Sequence, residues 1–124
     1  MMIRISIAVI SMAAAAWSQT PEVKLAEQAY TNIVELKGVA ADQVLPAMQF
    51  MSTSLGVDCN FCHVQGDNAS DDNPKKLVAR KMIEMVNDIN AKFPDGKVHV
   101  SCYTCHRGKT TPDMVPPPAA PPGQ

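Results

Sequence analysis

A chain of 124 residues holds one domain at most, and 5% aromatic content with a single Trp makes an ordinary apolar core thin at that length. Lys and Arg number 11 against 12 Asp and Glu, a formal net charge of −1, which excludes a polybasic nucleic-acid surface.

The chain opens with a targeting pattern. Arg4 is the lone positive charge before a mostly apolar run over 5–16, and small residues follow. Ala14-x-Ala16 allows cleavage before Trp17, and Ala16-x-Ser18 before Gln19. The run is shorter than the ~20 apolar residues of a spanning helix. Residues 1–18 are therefore expected to be a secretory signal peptide, with no cysteine after it for lipid anchoring and no integral span in the mature chain.

One folded domain is expected over 19–111. Thr20-Pro21-Glu22 reads as a helix start, with Val23, Ala26, Tyr30, Ile33 and Val34 on one face and Lys37-Gly38 as the stop. The β-branched Thr31, Ile33 and Val34 weaken its second half, where extended chain is the alternative. A second helix is expected from Asp42 as N-cap to Leu55, ended by Gly56, with Met48 and Met51 on it. After a polar loop over 64–73, Asn73-Pro74 opens a third helix reaching about Lys92. Its inner face carries Leu77, Val78, Met82, Met85, Val86 and Ile89. Pro94-Asp95-Gly96 turns the chain, and 98–101 is a short extended approach. Residues 112–124 hold six of the ten prolines and read as a solvated polyproline-type tail.

Two pentapeptides carry the chemistry: Cys59-Asn60-Phe61-Cys62-His63 and Cys102-Tyr103-Thr104-Cys105-His106. Each is C-x-x-C-H, the attachment sequence of a c-type haem. Two thiols three positions apart on one turn add to the two vinyl groups along one porphyrin edge. The histidine that follows then lies under the ring as proximal iron ligand. Together the pentapeptides take all four cysteines and two of the three histidines. A shared zinc site is disfavoured because thirty-nine residues (63–101) separate the pairs, against ~15–20 in zinc ribbons. A thioredoxin-type dithiol lacks its βαβ context. Two haem c groups are expected, attached outside the cytoplasmic membrane, which agrees with the signal peptide.

The sixth iron position is expected to take a thioether. Only Met114 lies downstream of the second motif, too near Cys105 to fold over the far face, so the ligand comes from upstream. The third helix offers Met82 or Met85, and the second offers Met48 or Met51 by loose repetition, since each helix carries Met-x-x-Met ahead of a haem motif. Packing is the bland role of such pairs, and spacing does not choose within either. His99, three residues before Cys102, reads as a surface or propionate-contacting residue. Lys75, Lys76, Arg80 and Lys81, with Arg107 and Lys109, read first as a solvated face and second as a dock for an acidic redox partner or propionates.

The stretches Leu36-Lys37-Gly38-Val39, Met48-Gln49-Phe50-Met51 and Ala79-Arg80-Lys81-Met82-Ile83-Glu84-Met85, with both haem motifs and Arg107-Gly108, resemble the photosynthetic reaction centre cytochrome c subunit family over about residues 31–110. The resemblance implies Met48 and Met82 as distal ligands, with Met51 and Met85 as second choices. It also implies an all-α, small multihaem cytochrome c in which a few irregularly connected helices pack on two covalently bound haems. The family's photosynthetic members carry four haems, and this chain looks like the first two-haem half. The expected function is periplasmic single-electron transfer between redox proteins, not enzymatic turnover, with docking on a membrane complex as a further implication. The alternatives are a haem enzyme or small-ligand sensor with an open distal site, or a haem subunit of a respiratory or photosynthetic complex.

Overall fold

A computed structural model describes residues 22–119. Four α-helices lie among them: α1 (Ala26–Ala29), α2 (Val44–Leu55), α3 (Pro74–Ala91) and α4 (Cys102–His106). There is no β-strand among the described residues, only isolated bridges at Leu25–Ala40 and Val64–Asp67, so the architecture is all-α. The signal segment and the Thr20-Pro21 start signal lie outside the described residues.

The long first helix expected up to Lys37 is not formed; α1 is a single turn. The backbone at its start is taken by a different partner. Ala26 N–H donates to Val39 O at 2.8 Å and Ala41 N–H to Lys24 O at 2.8 Å, closing the segment on itself. Tyr30 is extended and Asn32 left-handed at φ 61°, which ends any helical continuation. Glu27 accepts from Gly38 N–H at 3.0 Å, and this bond, ahead of any other influence, holds its carboxyl below the usual range.

A 3-10 turn, Ala41–Gln43, leads into α2, so Asp42 sits inside that turn and does not cap the helix as expected. Gly56 ends α2 as expected. At φ 67° it closes a Schellman motif in which Val57 N–H donates to Ser52 O at 3.0 Å and Gly56 N–H to Thr53 O at 3.3 Å. Gly56 also lies against Gly108, whose carbonyl oxygen a Cβ at position 56 would overlap. Gly108 N–H donates to Ser54 O at 2.8 Å, and Ser54 is 1% exposed. This seam holds α2 against the end of α4, which also touches α3.

α3 starts where Asn73-Pro74 predicts: Asn73 Oδ1 accepts from Lys75 N–H at 3.1 Å, and Pro74 occupies the first position without losing a bond. Its presumed inner face is a different matter. Leu77, Val78, Met82 and Met85 are 45, 58, 38 and 44% exposed, while Val86 and Ile89 are half-buried. The helical spacing is right, but the described residues leave most of the stripe exposed. Among the described residues only Ala26 and Val44 are buried apolar side chains.

Candidate functional site

The first C-x-x-C-H follows α2 with one spare residue between the Gly56 stop and the next cap. Asp58 Oδ1 accepts from Asn60 N–H at 3.0 Å and opens a 3-10 turn, Cys59–Phe61. Cys62 N–H and His63 N–H both donate to Cys59 O, at 3.3 and 3.0 Å. The two cysteines therefore lie a turn apart with the imidazole directly after. The far side of the motif is held by α3: Asn73 Nδ2 donates to Phe61 O at 3.1 Å, and the Lys75 ammonium sits 3.8 Å above the Phe61 ring. One asparagine thus caps α3 and ties that cap to the haem motif.

The second C-x-x-C-H is itself the helix α4. Thr104 Oγ1 accepts from Ser101 N–H at 2.9 Å at its start, and Arg107, left-handed at φ 51°, ends it. Here too α3 provides the grip. Asn90 Oδ1 accepts from His99 N–H at 2.8 Å and Val100 N–H at 3.0 Å, while its Nδ2 donates to Val100 O at 2.9 Å. One side chain satisfies three backbone groups of the extended approach to Cys102. Nothing in the spacing of Asn90 marks it beforehand; an Asn in a last helical turn is unremarked surface until the fold brings 98–101 back beside it.

The two histidines are held alike. His63 Nδ1 faces Asn68 O at 3.0 Å, and His106 Nδ1 faces Lys109 O at 2.9 Å. A backbone carbonyl only accepts, so in each ring Nδ1 carries a proton, and in the neutral ring Nε2 then presents the lone pair. That is the tautomer a metal-bound imidazole needs, with the orienting partner supplied in advance. All four thiols are free, Cys59 and Cys105 exposed and Cys62 and Cys102 half-buried. Burial pushes the Cys62 and Cys102 thiols upward.

These residues fit haem c. Each motif joins two thiols on one turn to an imidazole with the correct free nitrogen, and the apolar stripe of α3 offers a face for a flat apolar ring. Among the described residues no three His, Cys, Asp or Glu side chains gather where one metal ion would sit. Met48 and Met51 lie half-buried on α2, and Met82 and Met85 lie on the exposed stripe of α3.

Within the cationic cluster Lys75, Lys81, Arg107 and Lys109 are exposed, as a solvated face requires, while Lys76 and Arg80 are not. Lys76, 9% exposed, donates through Nζ to Asn68 O, Ala69 O and Ser70 O at 3.0, 2.9 and 2.8 Å, with Asp71 at 3.1 Å. Arg80 pairs with Asp71 at 3.0 Å and reaches Asn32 O, while Asn32 Nδ2 donates to Asp71 at 2.8 Å. Arg80 first, then Lys76, holds the Asp71 carboxyl down at about 2. Lys75 and Lys81 are occupied by Phe61 and Glu84, and Lys109 by Asp113. Lys76 and Arg80 thus fasten the loop behind the first haem motif. The surface reading of His99 stands: its Nε2 pairs with Asp95 at 2.9 Å, and its ring stacks on Phe93 at 3.9 Å.

Helix, capped turn and oriented imidazole, met twice in one all-α chain, define a c-type cytochrome. A family model described as the photosynthetic reaction centre cytochrome c subunit matches residues 3–120, and the chain belongs to that family. It is 39% identical over 94 residues to the photosynthetic reaction center cytochrome c subunit of Thermochromatium tepidum, covering 70% of this chain and 22% of that protein. Against cytochrome c-554 of Chloroflexus aurantiacus the identity is 39% over 88 residues, 64% of this chain and 21% of the relative. The corresponding subunit of Roseobacter denitrificans is 34% identical over 103 residues, 74% of this chain and 28% of the relative. The chain thus spans less than a third of the length of these relatives.

Proposed function

We propose that this chain is an exported dihaem c-type cytochrome that passes single electrons between redox proteins and performs no catalysis of its own. Residues 1–18 are its signal peptide, 19–111 its haem domain and 112–124 a proline-rich tail, and its compartment is the periplasm. Among the described residues no helix is long and apolar enough to cross a membrane. Its partners are a soluble donor or acceptor and, as the names of its relatives suggest, a membrane redox complex.

The observation that carries this reading is the pair of imidazoles with Nδ1 committed to a backbone carbonyl and Nε2 open. Cys59 and Cys62 hold the first haem and Cys102 and Cys105 the second, each S–H adding across one vinyl group. His63 and His106 are the proximal ligands, and Met48 and Met82 the distal ones. Haem iron, when bound, supplies a ferric/ferrous couple whose axial ligands move its potential over a range of ~0.8 V. The chain's part is to hold both ligand rings rigidly, so that little reorganises between oxidation states. The capped turns, Asn73 and Asn90 do this. The exposed apolar stripe of α3 would exclude water from a bound ring face.

An optically followed redox titration of the holoprotein, with a pyridine haemochrome count, tests the proposal. Two haems per chain and two reversible one-electron waves are expected. Met48→Ala and Met82→Ala each abolish one thioether–ferric charge-transfer contribution and lower one potential. A colourless mature protein, or an unchanged spectrum in both variants, overturns the assignment.

A further inference from the structure

We propose that Lys76 raises the reduction potential of the first haem, acting through the carbonyl group that holds His63. The inference rests on the reading of His63 as the first proximal ligand.

A lysine is seldom as buried as Lys76 unless its charge is fully met. Here three carbonyl oxygens take its three N–H groups, and Asp71 stands beside it. One of those oxygens, Asn68 O, is also the acceptor for His63 Nδ1–H. Its two lone pairs are therefore shared between an ammonium and an imidazole. The ammonium draws electron density from the oxygen and makes it a poorer acceptor for the ring N–H. A weaker bond at Nδ1 leaves the imidazole less basic at Nε2, a poorer donor to ferric iron, and the potential rises.

The second site lacks this device. His106 Nδ1 bonds Lys109 O, and among the described residues no side chain donates to that oxygen. The Lys109 ammonium itself goes to Asp113. The two imidazoles match in their first hydrogen bond and differ in what stands behind it. Lys76 is a positioning and tuning residue, not an iron ligand.

The test uses the full holoprotein, with haem content measured first and the two waves assigned by haem-methyl NMR. In Lys76→Met the first haem is expected to lose about tenfold in its reduction equilibrium, or ~59 mV for one electron, while the second stays in place. Lys76→Arg keeps the charge and the original potential. Asp71→Asn removes the opposing charge and raises the first potential. Lys81→Met, an exposed lysine on the same helix, moves neither. A lysine that merely tightened the loop would shift Lys76→Met and Asp71→Asn in one direction, and that result overturns the inference. So does a two-haem Lys76→Met protein with both potentials unmoved. If Lys76→Met does not accumulate, Asp71→Asn must still raise the first potential and Lys76→Arg hold it; failure of either refutes the role. Absence of haem from the wild-type protein instead removes the cytochrome reading itself.

Discussion

Replacing Asn90 by alanine strips the approach to the second haem motif of all three bonds that α3 gives it: His99 N–H, Val100 N–H and Val100 O, at 2.8, 3.0 and 2.9 Å. A typical hydrogen bond contributes a net ~0.5–1.5 kcal/mol, and groups left unmet in a half-buried position cost more than solvated ones. Water reaches part of this segment, so the lower half of the summed range applies, about 2 kcal/mol. With a urea slope of roughly 2 kcal/mol per molar for a domain of this size, the unfolding midpoint falls by about 1 M. Urea unfolding of the holoprotein by far-UV circular dichroism measures it, and the amide protons of His99 and Val100 should lose exchange protection in parallel. Asn87→Ala, at an exposed position on the same helix, is the comparison. A midpoint for Asn90→Ala within about 0.5 kcal/mol of that control refutes the argument that α3 positions the second motif through this side chain.

Gly56→Ala should destabilise by more than about 2 kcal/mol, because the left-handed backbone costs a Cβ residue ~1–2 kcal/mol and the methyl also overlaps Gly108 O. Gly38→Ala has a similar backbone angle, φ 81°, but open space around it; equal losses in the two variants would contradict the close seam between α2 and the end of α4. Asp71 makes the stability acid-dependent in a definite sense. Its folded pKa of about 2 lies below the ~3.9 of an unfolded Asp, so its contribution is full above pH ~5 and is lost as pH falls through about 4 to 2. Urea midpoints followed across that window should fall less steeply in Asp71→Asn than in wild type, and identical slopes would rule out the Asp71–Arg80–Lys76 network as the source.

Local chemistry announced itself in the residue order where neighbours in sequence are the neighbours in space. Gly56 stops α2 because a Schellman turn is made within six residues. Asn73-Pro74 starts α3 because cap and first position are adjacent. The C-x-x-C-H spacing places thiols and imidazole on one turn without help from the rest of the chain. The α1 region failed on the same ground. Its periodicity was helical, yet its backbone bonds went to 39–41, a pairing across the fold that periodicity does not encode. Asp42 likewise carries the right side chain for a cap, but it lies in the 3-10 turn that precedes α2.

Sequence alone therefore determined the two haem motifs, the all-α class, the two long helices and the family, since each depends on residues a turn or two apart or on a pattern kept along the chain. Tertiary structure alone decided what holds those motifs: Asn90 against 98–101, Lys76 and Arg80 around the loop behind His63, and Gly56 against Gly108. It also decided that Leu77, Val78, Met82 and Met85 of α3 stay exposed among the described residues. The reason is physical. A hydrogen bond between groups tens of residues apart exists only once the chain has folded back, and an apolar stripe states that something covers it without stating what.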